Sequence, residues 1–349
     1  MSVPKTAAPP LANQQLIINL LLHLGEPYAF LGEQLRANPY SENWRKAQRE
    51  LLEAFPFMVS NQLRDLFTPD SCEHPNQRLS DLTACAHTVL RLVSGILLSD
   101  SWQQAEQGQL LLTESEKAAI QTFFTAPAPC PDFQQLFTQI DAAFQRERLD
   151  FFLPALRQFL TNAKAQSATQ YFQAMHPLEP ATFARADHLE AEAQLTELLL
   201  ASDFLVRNEL TVVKQVATDW TRDFDQPSYV QHQARLRGQD YHTGGVAKIS
   251  QATANYSRSV LLVRGGEAGG LLNLSPFLVD QNSYKVKSYH LPKVYFLIKA
   301  TSDGLTFQHS DTDDLFFALQ RAEAAKGFLA TERLFTAWDQ FCDALELTY

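Results

Sequence analysis

SVLLVRGGEAGGLLNLSPFLVD, residues 259–280, is the stretch on which the fold turns. Val260–Val263 and residues 271–278 are two apolar runs with strand character. Between them lies Gly265-Gly266-Glu267-Ala268-Gly269-Gly270, which holds four of the thirteen glycines. Glycine reaches positive φ at little steric cost, so this segment reads as the flexible tip of a hairpin. Pro276 has no N–H to donate and must end the ladder or place the second run on a sheet edge. The hairpin is expected at the centre of a small antiparallel sheet, with helices before and after it.

Outward from the hairpin, the flanking segments share its period. Residues 204–220 and 229–236 are rich in Val, Thr and Tyr, and residues 285–300 and 305–309 follow, the last two joined by Ser302-Asp303-Gly304. Short turns between about six such strands favour antiparallel pairing, because parallel strands need long crossovers. Upstream the period is helical. Leu11–Leu24 is apolar nearly all round and is stopped by Gly25, and a short helix is expected over 28–36. Ser41 is an N-cap for a helix carrying Trp44, Ala47, Leu51 and Phe55, which Pro56 breaks. A loop is expected over 69–75.

Residues 78–98 form the clearest helix. Leu82, Cys85, Val89, Val93 and Ile96 share one face, and Ser80, Ala84, His87, Arg91 and Ser94 the opposite, polar one. Thr113-Glu114-Ser115-Glu116 has the capping-box form. Helices with Phe133, Leu136, Phe137, Ile140 and Phe144, with Pro154 in a first turn, and from Asp187 onward complete the helical part. Two closing helices are expected over 311–325 and 331–345. The fold class is α+β: a disordered 1–10, a bundle-like helical domain over 11–202, a mostly antiparallel β-domain over 203–309, and C-terminal helices over 310–349.

Composition limits the possible functions. The chain has 349 residues, 45% hydrophobic and 19% charged, with net charge −10. That balance is ordinary for a globular protein and unlike a whole-surface nucleic-acid binder. Four cysteines in this length form no disulfide framework and read as reduced thiols. The first apolar run is interrupted by Asn19 and His23 and is too short to span a bilayer, so a cytoplasmic protein without a membrane partner is expected.

No diagnostic catalytic motif is present, and no cofactor is expected. Cys72, His74, Cys85 and His87 have zinc-ligand chemistry, but Cys85 and His87 sit about 200° apart on a helix and cannot share an ion. His188-Leu189-Glu190 matches half of a zinc-deaminase signature without its Pro-Cys-x-x-Cys partner, and reads as a helix start. Residues 310–314, SDTDD, lack the glycine and glutamate of an EF-hand, because Phe316 and Ala322 stand at those positions; they read as acids in a first helical turn. His242-Thr243-Gly244-Gly245 has no nucleophile elbow to serve, and Gly265–Gly270 has no following helix and lysine.

Charge is regional. Residues 228–299 hold nine Lys/Arg against three Asp/Glu, and six of the ten tyrosines. Arg235, Arg237, Lys285, Lys287 and Arg264, with Tyr241 and His242, form a candidate face for a nucleotide or nucleic-acid strand. The alternative is docking of a basic β-domain on an acidic helical one.

The run Leu82 to Asp100 (LTACAHTVLRLVSGILLSD), with Leu272 to Leu278 (LNLSPFL) downstream, resembles uncharacterised helical-plus-β modules of bacterial conflict systems. Those modules accompany STAND-type NTPases, kinases or caspase-like effectors. The resemblance implies a non-enzymatic sensor or adaptor with a protein partner, and carries over no active-site residue. The alternative is an enzyme with a dispersed site around His242, with Asp240 or His290. One double substitution separates the readings of the basic face. If the face binds nucleotide, Arg235→Glu with Lys285→Glu abolishes binding and leaves thermal stability nearly unchanged. If it docks, the variant shows no lost ligand and new protease sensitivity near 200–205.

Overall fold

The computed structural model describes residues 11–38, 40–125, 131–175, 185–219, 228–238, 246–249, 258–265, 270–280, 293–311, 316–324 and 329–349. Among the described residues twelve helices come first: α1 (Leu11–Leu24), α2 (Ala29–Ala37), α3 (Trp44–Ala54), α4 (Phe57–Leu66), α5 (Pro69–Glu73), α6 (Pro75–Glu106), α7 (Glu114–Thr125), α8 (Phe133–Arg146), α9 (Ala155–Thr161), α10 (Ala163–Met175), α11 (Arg185–Ala201) and α12 (Phe204–Arg207). Nine strands follow among the described residues: β1 (Glu209–Asp219), β2 (Ser228–Arg235), β3 (Val246–Ile249), β4 (Val260–Val263), β5 (Leu271–Asn273), β6 (Leu278–Asp280), β7 (Val294–Ala300), β8 (Gly304–His309) and β9 (Phe316–Gln320). Helices α13 (Arg321–Ala324) and α14 (Leu329–Ala344) close the chain. The class is α+β, with helices first and antiparallel sheets after them.

Helix α6 is the spine. Every residue from Leu92 to Ser101 is buried, and ten consecutive residues point in all directions round the helix. It is long and apolar enough to cross a membrane by length and composition, but 83% of its most apolar window is enclosed by the rest of the chain. The expected polar face is therefore corrected. His87 and Ser94 are buried, His87 with Nε2 3.3 Å from the Phe172 carbonyl of α10. Ser94 and Ser101 donate back to the carbonyls of Leu90 and Leu97, each at 2.8 Å, which lets a hydroxyl sit in an apolar environment.

The strands form two sheets, ordered β3-β2-β1-β4-β5 and β6-β7-β8-β9, with every pairing antiparallel. The hairpin forms as β4 and β5, with Leu261 opposite Asn273 and Val263 opposite Leu271. It lies at one edge of its sheet rather than at the centre, because the longer β1 and β2 take the middle. The ladder ends before Pro276, and the chain then crosses to β6 in the second sheet. At the crossing, Phe277 enters an aromatic cluster with Phe124 of α7 and Phe341 of α14, at centroid distances of 6.1 and 4.8 Å. Gly265 owes its identity to close approach: a Cβ there would lie 2.8 Å from the Arg207 carbonyl.

Other expectations are met or corrected locally. Thr113 N–H donates to Glu116 at 2.7 Å, completing one arm of the capping box. Leu334, Trp338 and Phe341 form the buried stripe of α14, and Leu345 continues it just past the helix end. Ser41 is not the cap of α3; Asn43 is, and its N–H donates to the Ser41 hydroxyl at 3.2 Å. Residues 69–73, expected as loop, form α5. Helix α10 was not expected, and residues 204–207 are helix α12 rather than strand. Within 311–325, expected as one helix, residues 316–320 are strand β9, paired to β8 with Phe317 opposite Phe307.

Asp100 of α6 is fully buried and accepts the Phe152 N–H at 2.6 Å. Phe152 in turn takes Arg264 over its ring at 5.7 Å and accepts from it through its carbonyl at 3.2 Å, so one carboxyl on the spine anchors the loop end of the hairpin. Burial pushes the Asp100 carboxyl up to about 7. Between the ordinary value of 3.8 and that value, the folded state holds a proton that the unfolded chain releases, so stability falls as pH rises through this window. Asp100→Asn keeps an acceptor for Phe152 and cannot ionise. Its melting temperature relative to wild type should therefore climb from pH 5 to about pH 7 and level off above that. A constant difference across that range would contradict the assignment.

Candidate functional site

The first turn of α6 carries an arginine where the core stripe would place an apolar residue. Arg78 lies one turn before Leu82, and only 2% of its side chain is exposed. Its Nη2 donates to Glu192 of α11 at 2.6 Å and to Asn13 of α1 at 2.9 Å. The Asn13 amide donates to the Leu66 carbonyl at the end of α4 at 3.2 Å, and to the Cys72 Sγ of α5 at 3.1 Å. Glu192 stands three residues before Leu195 on the inward stripe of α11, and Asn13 three before Leu16 on that of α1. Three polar residues on three core stripes thus meet one another, which is the arrangement that makes their burial tolerable.

The pair floors a cavity of about 710 Å³ between α1, α5, α6 and α11. Cys72 and His188, read separately in the sequence, both line it, with Gln15, Glu73, Thr196 and Glu197. Burial pushes the Cys72 thiol up, and this outweighs the opposing pull of Arg78. Burial likewise raises the Glu192 carboxyl, with the Arg78 charge and hydrogen bond working against it. A nucleophilic thiol needs the reverse shift; the polar groups of the wall can hydrogen-bond and carry charge.

The other zinc-type residues scatter. His74 is exposed and pairs with Asp70 at 3.2 Å, while Cys85 is sealed in the core. Among the described residues no three His, Cys, Asp or Glu side chains gather to hold a metal ion. Helix α11 begins at Arg185, so His188 and Glu190 lie within its first turns and do not start it. Asp311 is no first-turn acid either. It accepts from Asn61 of α4 at 2.9 Å and from Ser310 at 2.6 Å, just past β8.

Of the basic face, Arg235 pairs with Glu209 on the neighbouring strand at 2.9 Å. Arg237 donates to the Glu53 carbonyl of α3 at 3.2 Å, and Arg264 holds Phe152 as described. Arg237 and Arg264 thus join the sheet to the helical region. Tyr241, His242, Lys285, Lys287, Asp240 and His290 lie outside the described residues.

No protein-family model, curated protein or solved structure matches this chain. Function therefore has to be read from the geometry.

The ion pair makes a specific energetic prediction. Arg78→Met leaves Glu192 buried without its cation and should cost about 3–5 kcal/mol. Arg78→Met with Glu192→Leu removes both charges and should cost clearly less than Arg78→Met alone. Urea unfolding of these two variants and of Glu192→Leu alone checks this. A double variant as unstable as the sum of its singles would refute a coupled buried pair.

Proposed function

We propose that this chain is a non-enzymatic sensor or adaptor module of a bacterial regulatory or defence assembly, which binds a small polar ligand and relays that state to a protein partner. The observation that carries this reading is the cavity of about 710 Å³ floored by the Arg78–Glu192 pair. Its walls come from four helices, one of which is the spine, so a ligand there touches elements that reach every layer of the fold. The raised Cys72 thiol weighs against covalent catalysis at this place. The internal engagement of Arg235, Arg237 and Arg264 gives the nucleotide and nucleic-acid alternative no support. The free thiols Cys72, Cys85 and Cys342 suit a reducing, cytoplasmic compartment.

Native mass spectrometry tests the ligand half. The chain is incubated with the small-molecule fraction of a bacterial extract, beside an Ala193→Trp variant that fills the cavity from its exposed wall. A small-molecule adduct on wild type that is lost in Ala193→Trp is the expected result. An adduct that survives in the variant, or none on either, would remove the ligand half.

A further inference from the structure

Resting on the reading of this cavity as a ligand site, the geometry points to its ligand class: we infer an organic cation, a protonated aliphatic amine whose N–H groups donate to Glu192. The first support is the half-used carboxylate. Arg78 takes Oε2 of Glu192, and no donor among the described residues reaches Oε1. Nine-tenths of the side chain is buried, and the small remainder meets the cavity that Glu192 lines. A carboxylate offers roughly four lone-pair sites, so one guanidinium contact leaves most of its accepting capacity facing inward.

The second support is the charge of the wall. Among the described residues of the lining, Glu73, Glu192 and Glu197 stand against a single guanidinium, Arg78, which is engaged by Glu192, Asn13 and the Leu66 carbonyl. Lys164 bridges Glu197 at 2.8 Å from outside the lining and leaves Glu73 uncompensated at the rim. The field inside therefore favours a cation over a neutral or anionic molecule of the same size. Burial raises the Glu192 carboxyl although Arg78 opposes it, and a second cation beside it would relieve that desolvation.

The third consideration decides between cations. A metal ion needs several ligating side chains converging within bonding distance, and no three do so among the described residues. An alkylammonium asks for less: one or two acceptors for its N–H groups and an apolar wall for its chain. Leu16, Leu189 and Ala193 supply that wall beside the acceptors.

The test uses three probes of equal chain length, cadaverine, pentanediol and glutarate, titrated against the whole chain by saturation-transfer NMR and calorimetry. Cadaverine should bind about tenfold or more tightly than the diol, the scale of a charge-assisted hydrogen bond, and glutarate should not bind. Glu192→Gln should erase the preference for the amine. Because that variant also leaves Arg78 short of its partner, Glu73→Gln with Glu197→Gln provides a second arm. It spares the buried pair and should weaken cadaverine several-fold. Ala193→Trp should abolish the binding. If the diol or the diacid binds as well as the amine and is lost in Ala193→Trp, the amine assignment is overturned and the cavity remains a ligand site. If cadaverine fails to bind while the extract ligand is still lost in Ala193→Trp, the assignment is overturned alone. If neither binds, both fall.

Discussion

A helix with no solvent-facing side for most of its length imposes one condition on the rest of the fold. Every polar group it carries must find its partner inside the protein. Helix α6 meets that condition at Arg78, His87, Arg91 and Asp100, and each solution fixes a different neighbour; the Ser99 hydroxyl finds no partner among the described residues. Arg78 ties it to α1 and α11 through Asn13 and Glu192. His87 reaches the backbone of α10. Arg91 donates to Gln308 of β8, in the second sheet. Asp100 holds the backbone of Phe152 and, through it, the hairpin arginine. Apolar packing alone is non-directional and would tolerate many placements of these elements around α6. The polar contacts, spaced along its length, assign each neighbour a definite position.

The cavity follows from the same condition. Close packing against an ion pair is harder than against leucines, because a guanidinium and a carboxylate keep directional partners and resist being covered by hydrocarbon. Where α6 begins, the pair lies between α1 and α11, with α5 reaching it through Cys72 and Asn13. The space beside it stays open because its wall is polar on the floor and apolar at Leu16 and Leu189. Structure and candidate function thus share one origin, a charged residue placed on a core stripe.

Much of the architecture was legible from period and capping. Helix α1 occupies the bounds its apolar run sets, and the capping box and the stripe of α14 are where the pattern puts them. Strand β9 was not legible, because Phe316-Phe317-Ala318-Leu319-Gln320 suits either period. Pairing with β8 decides it, with Phe317 stacked on Phe307 at 4.7 Å. Helix α10 was hidden because its buried face is mostly small, Ala165, Ala168 and Thr169 with Phe172, and gives little hydrophobic contrast. The site was the least legible part. Asn13, Arg78 and Glu192 are 65 and 114 residues apart in sequence, and no spacing rule joins them. The available signal was subtler: each continues a stripe of buried aliphatic residues by one turn. Cys72 and His188 attracted notice for metal chemistry, and their importance is that they share a wall.

Helix α6 is enclosed on all sides, and its polar contacts hold the surrounding elements in place. Native-state hydrogen exchange measures this directly. Amides of residues 85–101 should exchange only through global unfolding, with an opening free energy equal to that from denaturant. Exchange of these amides through local opening, at energies like those of the short peripheral helices α2 and α5, would contradict the account.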